Sequence, residues 1–290
     1  MKCEPLPQLR LRSGRRLHYR TFGPSAGEPL FHFHGIAGSG LDAALYGDAP
    51  DKAGVHLISP DRPGLGESDF QPGRTILDWP SDVLELADSL GLGAFSVVGV
   101  SGGAPYALAC AHEIPQRLKA CGIVSGAAPG RLIPRRDVRF RATYFAIHWL
   151  PFFYQAFARA LTPWRASHPT ERFAIPAILL ARADAAVLAN AELSSILARV
   201  TAEGSRQGYT GPALEGTLLA GDWGFRLENI NLKDFFLWHG EADRIVPAGV
   251  GRNLAAAVPN TRAKFYPGEG HYSVMVNHAF EILTAFRQPR

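Results

Sequence analysis

Short apolar, β-branched runs alternate with longer segments of helical spacing along most of this chain. Leu9–Leu11 and Leu17–Phe22 flank Ser13-Gly14-Arg15 and predict an opening antiparallel hairpin. Pro29–His34, Val55–Ser59, Phe95–Val100, Ala120–Ser125, Phe235–His239 and Ala263–Tyr266 read as further strands, most of them too continuously apolar to face water on either side. Helical periodicity fills the gaps. Residues 76–90 place Val83, Leu86, Ala87 and Leu90 on one face, and Gly91 supplies the stop. Residues 104–113 and 248–258 read as helices, and the tail from Ser273 to Arg287 is amphipathic.

Strands that alternate with helices imply an α/β fold: a mostly parallel, doubly wound sheet with helices on both faces. Functional groups in such sheets gather on loops at the carboxyl ends of the strands. From Ala127 to about Asn231 the pattern changes to helical segments with little strand character. A structureless connection of that length is implausible. The expected organisation is a core formed by residues 1–127 and 231–290, with residues 128–230 inserted after the sixth strand as a helical cap.

The loops carry the chemistry. Val98-Gly99-Val100-Ser101-Gly102-Gly103 joins a predicted strand to a predicted helix, a setting in which glycines relieve the collisions of a sharp turn. The turn lifts the Ser101 hydroxyl above the sheet and leaves the Gly102 N–H free at a helix start, the arrangement of a nucleophile elbow. Serine chemistry on an acyl carbon also needs a base, an acid to orient it and donors for the oxyanion. Asp243 follows one predicted strand in Gly240-Glu241-Ala242-Asp243, and His271 follows the last in Gly268-Glu269-Gly270-His271. Asp243 has a rival role as a helix N-cap, but Ser125-Gly126 leaves no carboxylate after the preceding strand to serve in its place. His278 competes with His271 but falls within the terminal helical pattern.

With His34-Gly35 after the third strand and Asp61-Arg62-Pro63-Gly64-Leu65-Gly66-Glu67-Ser68 after the fourth, these motifs give the chain its resemblance to the α/β-hydrolase superfamily, in its capped esterase, lipase and C–C hydrolase-like branch. The resemblance implies Ser101 as nucleophile, His271 as base and Asp243 as orienting acid. It also implies backbone N–H groups of Ile36 and Gly102 as oxyanion donors, with no cofactor. His34 is expected to brace the oxyanion loop, Asp61 and Arg62 to knit the turn beneath the pocket, and His239 to sit in the core. The two glycines after Ser101 are expected to widen the floor of the site slightly.

Composition narrows the picture. Hydrophobic residues make up 47% of the 290 and charged ones 19%, enough for a large core. The net charge of +4 comes from arginines without a basic block, which tunes solubility, favours anionic substrates and does not argue for nucleic acid. Cys3, Cys110 and Cys121 lack metal-ligand spacing, and no H-E-x-x-H pattern occurs. The N-terminus has no apolar signal region, and no apolar run is long enough to span a bilayer, so a cytoplasmic protein is expected. An aromatic cluster between Phe140 and Phe157 belongs mostly to packing, with Trp149, Phe153 and the more distant Trp223 as candidates to line a substrate cavity. The leading expectation is a serine hydrolase of a small apolar carboxylic ester or lactone. A C–C bond hydrolase of a diketone-like substrate and a ligand-binding protein without turnover are the alternatives.

Overall fold

A computed structural model describes residues 6–149 and 180–287. Eight strands form one sheet: β1 (Gln8–Arg10), β2 (Arg16–Phe22), β3 (Glu28–Phe33), β4 (Val55–Pro60), β5 (Phe95–Val100), β6 (Leu118–Val124), β7 (Phe235–Gly240) and β8 (Thr261–Tyr266). Their spatial order is β1-β2-β4-β3-β5-β6-β7-β8. The first two strands form the expected hairpin, with Leu9 opposite Leu17, and β2 pairs antiparallel with β4. All the remaining pairs are parallel.

Period-2 alternation divides the strand side chains between two cores. On one face Phe31, Ile58, Phe95 and Val97 pack with residues of α2 (Trp79–Ser89), α3 (Ala104–Glu113) and α8 (Ala248–Ala257). On the other, Leu30, Leu57, Val98 and Val100 pack with α1 (Ala49–Ala53), α9 (Ser273–Asn277) and α10 (Ala279–Thr284). Every residue of β5 is buried, which explains a sequence that is apolar except for Ser96.

Two expected helices are subdivided. Residues 76–78 form a 3₁₀ turn, capped reciprocally by Thr75 and Asp78, before α2 begins at Trp79 with Pro80 in its first turn. The C-terminal amphipathic segment breaks at His278, whose ring stacks 3.9 Å from that of Tyr266 between α9 and α10. Between β6 and β7 the described chain forms α4 (Val138–Trp149), α5 (Arg182–Ala189), α6 (Ala191–Gly204) and α7 (Thr210–Ala220), and among the described residues there it forms no strand. Asn190 caps α6 through its side chain, accepting from the Glu192 and Leu193 amides. None of the described helices is long and apolar enough to cross a membrane.

Candidate active site

The elbow is built from steric necessity. Ser101 adopts φ +53°, a left-handed conformation that costs a non-glycine residue about 1–3 kcal/mol unless its surroundings enforce it. The enforcement is close packing: a Cβ on Gly99 would lie 2.5 Å from the Gly103 carbonyl oxygen, and one on Gly103 would lie 2.0 Å from that of Phe33. Glycine alone allows β5, the turn and β3 to approach this closely.

Two further loops meet Ser101. His271 Nε2 lies 2.9 Å from Ser101 Oγ, and His271 Nδ1 lies 2.8 Å from Asp243 Oδ2. Because a carboxylate only accepts, Nδ1 carries the proton of the neutral ring and Nε2 is left to accept from the serine hydroxyl. The other carboxylate oxygen, Asp243 Oδ1, accepts from the Ile245 and Val246 amides at 2.8 Å each. Asp243 is therefore not the helix N-cap, a position held by Pro247; one oxygen ties the turn before the helix and the other holds the histidine. Burial acts to lower the His271 pKa, but the charge and hydrogen bond of Asp243, with Asp184 and Asp42 beyond, overcome it and raise the value. His239 is buried in β7 and donates from Nε2 to the Val246 carbonyl at 2.9 Å, and burial holds its pKa down.

The loop after β3 forms the opposite wall. His34 donates from Nδ1 to the Gly35 carbonyl at 2.9 Å and accepts the Arg62 amide on Nε2 at 3.3 Å. Burial, then the adjacent Arg62 charge, push its pKa down to about 3, so the ring is neutral and acts as a brace. Asp61 accepts the Gly40 amide at 2.6 Å and the Glu67 amide at 3.0 Å, knitting its turn. Arg62 reaches further and donates to the carbonyls of His34 at 2.6 Å and Gly35 at 3.1 Å. A Cβ on Gly102 would stand 2.8 Å from the Ile36 amide nitrogen. The glycine pair therefore does not widen the floor: the space released is filled by the neighbouring loop, which brings Ile36 and Gly102 side by side.

Sequence reasoning missed two acids that the helices between β6 and β7 deliver to this site. Asp184 of α5, fully buried, accepts the His271 amide on Oδ2 and those of Tyr272 and Ser273 on Oδ1, each at 2.9 Å. Glu215 of α7 is buried between Arg62, 2.6 Å away, and Arg74, and accepts from the Tyr106 hydroxyl at 2.6 Å. Burial acts to raise the Glu215 pKa, but the two guanidinium groups hold it well below the carboxylate range. A cue exists for the second acid, which is the single charge in an otherwise uncharged helix. Nothing comparable marks Asp184.

A cavity of about 880 Å³ opens above Ser101, Gly102 and Ile36, with walls that include Val138, Phe140, Tyr144, Ile147 and Leu219. Of the three cavity candidates, Trp223 lies elsewhere: it is 3% exposed, packs in the core near Phe225 and donates its indole N–H to the Leu219 carbonyl. Its helix-adjacent position favoured burial over display. Phe153 and the side chain of Trp149 fall outside the described residues.

Comparison with known proteins bears on the fold. The chain is 27% identical over 268 residues to the dihydrolipoyllysine-residue acetyltransferase component of an acetoin cleaving system from Cupriavidus necator; the match covers 90% of this chain but only 63% of that relative's length. A hydrolase from Pseudomonas aeruginosa PA01 superposes with a TM-score of 0.68 at 21% identity, over 98% of this chain and 97% of the other. A thermophilic esterase from Thermogutta terrifontis gives a TM-score of 0.65 at 18% identity, over 96% of each chain. Residues 28–278 match the family model described as alpha/beta hydrolase fold, and the chain belongs to that family.

Proposed function

We propose that this hydrolase-family protein is a cofactor-independent serine hydrolase of carboxylic esters or lactones, with residues 128–230 acting as a cap over the site. The observation that carries the reading is the unbroken line of hydrogen bonds from Asp243 through His271 to Ser101, 2.8 and 2.9 Å long, at a serine held at φ +53°. Similarity to esterases supports the ester as substrate class.

Ser101 Oγ attacks the acyl carbon as its proton passes to His271 Nε2, and Asp243 stabilises the imidazolium that forms. Negative charge developing on the carbonyl oxygen is held by the amides of Ile36 and Gly102, donors typically worth about 3–4 kcal/mol each. His271 then protonates the departing alcohol, leaving an acyl-serine. Water, deprotonated by the same histidine, attacks the acyl-serine and releases the acid. Arg62 and Asp184 act at one remove, fixing the oxyanion loop and the histidine loop.

The test is hydrolysis of short-chain 4-nitrophenyl esters by the wild-type protein and Ser101→Ala. Steady turnover that the substitution reduces at least about a thousandfold supports the proposal. Turnover that survives in Ser101→Ala overturns it.

A further inference from the structure

The net charge of the chain is +4, and, contrary to the expectation of scattered arginines without a basic block, it is not evenly spread. Residues 128–149, which lead into and form α4, contain five arginines and one acid, Asp137. This stretch alone accounts for +4, and the rest of the chain, with 25 basic and 25 acidic residues, is balanced. Arg131 faces Glu228 at 3.6 Å. Two others, Arg136 and Arg139, line the cavity above Ser101. A third cavity arginine arrives from a different element: Arg244, directly after Asp243 on the β7–α8 loop. All three are solvent-exposed, and no carboxylate among the described residues lies within ion-pair distance of any of them. Asp137 is the one acid in the described lining, so that lining carries a surplus of positive charge.

The surroundings of His271 have the reverse polarity. Asp243, Asp184 and Asp42 all act to raise the His271 pKa, which marks an acid-rich environment around the reacting atoms. Much of the remaining described wall is apolar, with Val138, Phe140, Tyr144, Ile147 and Leu219. A ligand that satisfied all three zones would place a neutral acyl group at Ser101, a hydrocarbon body along α4 and α7, and an anionic group among the arginines. Membrane docking is a poorer account of the same residues. The apolar positions of α4 are distributed around the helix rather than gathered in a stripe that could lie on a bilayer.

Building on the hydrolase reading, we infer that the substrate is an amphipathic monoanion: an ester whose otherwise apolar body carries a carboxylate at the end remote from the scissile carbonyl. Arg136, Arg139 and Arg244 select it and set its direction in the cavity. Guanidinium groups suit this task because they stay charged at every working pH and hold carboxylates with paired donors.

The probes are 4-nitrophenyl hydrogen adipate and its neutral counterpart, methyl 4-nitrophenyl adipate, with nitrophenolate release as the readout. The wild-type protein should favour the anion in kcat/KM by about tenfold or more at low salt, equivalent to about 1.4 kcal/mol. The preference should shrink in 0.5 M NaCl as the charges are screened, a concentration chosen to bring the Debye length to about 4 Å. In the triple variant Arg136→Gln, Arg139→Gln, Arg244→Gln the ratio should fall to about one, while the corresponding lysine variant, which keeps the charge but not the paired donors, retains only part of it. Arg135→Gln with Arg141→Gln, which removes charges that do not line the cavity, should leave the ratio in place. Equal use of the two esters by the wild-type protein, or an unchanged ratio in the triple variant, overturns the inference. So does a triple variant that keeps its ester ratio but loses binding to phosphatidylglycerol vesicles, which assigns the arginines to a lipid surface. Calorimetry separates this idea from the hydrolase reading. Ser101→Ala should bind monomethyl adipate about tenfold more tightly than dimethyl adipate even if neither nitrophenyl ester is cleaved. Equal affinities sink the charge selection irrespective of catalysis.

Discussion

Asp184→Asn tests the link between the helices that separate β6 from β7 and the candidate triad. The carboxylate accepts three amides, two on Oδ1 and one on Oδ2, with no solvent access. An asparagine of the same shape keeps an acceptor for only one of the two positions. Its oxygen best replaces Oδ1, where two donors converge, which turns the NH₂ group toward the His271 amide. Two donors then face each other in a buried site. Hydrogen bonds to charged groups are worth about 1.5–3 kcal/mol each, so losing one and neutralising two should cost about 2–4 kcal/mol of stability. That loss is measurable as a lower urea midpoint at unchanged slope. The kinetic consequence has a distinct signature. A displacement of about 1 Å in a reacting group costs on the order of a hundredfold, so kcat should fall about 10–100-fold with little change in KM. Because Asp184 helps raise the His271 pKa, its neutralisation should also move the acid limb of kcat/KM to lower pH. A purely structural lesion would not shift that limb downward. Wild-type kcat in a folded Asp184→Asn, or an acid limb that stays in place or rises, refutes the reasoning.

Other outcomes follow from the same geometry. In the wild-type protein His271 must be neutral to accept the Ser101 proton, and its pKa is raised, so kcat/KM should rise with pH through a value above the ordinary histidine value of about 6.5. Asp243→Asn retains the loop but can present an N–H to His271 Nδ1; a fall in kcat of about 10⁴ is expected in steady-state assays. Glu215→Gln leaves Arg62 and Arg74 buried without their counter-charge and should cost about 3–5 kcal/mol in denaturant melts. Because the Glu215 pKa is depressed in the folded state, its contribution is present above about pH 4.3 and fades as pH falls further, so the acid side of the wild-type stability curve should flatten in the variant. Gly270→Ala would set a Cβ 2.1 Å from Asp184 Oδ2, so it should reproduce the kinetic defect of Asp184→Asn by pushing the same loop from the other side.

The parts of the site visible in the sequence are those that depend on local pattern. Phe95–Val100 reads as a strand because all six residues are buried between two helical layers, and Ser101 stands out because it is flanked by glycines at 99 and 103, where a Cβ would clash. Asp243 and His271 were visible because each follows a strand by a few residues, at the edge where parallel sheets gather function. Asp184 was not, since its partners lie 87 to 89 residues away and its own surroundings read as an ordinary alanine-rich helix. Glu215 meets Arg62 across 153 residues, and no periodicity encodes such a pairing. Trp223 shows the converse limit. An aromatic residue near a predicted site has two faces to choose from, and the indole N–H found its partner in Leu219, inside the core. The C-terminal amphipathic pattern was real, but ring stacking on Tyr266 ends one helix at His278 and starts another.

Mapping a covalent adduct tests the central claim most directly. After treatment with a fluorophosphonate, intact mass should increase by one phosphonyl group, peptide sequencing should place it on Ser101, and His271→Ala should slow its formation by orders of magnitude. An adduct on another residue, or ester turnover by protein whose Ser101 is fully phosphonylated, contradicts the account.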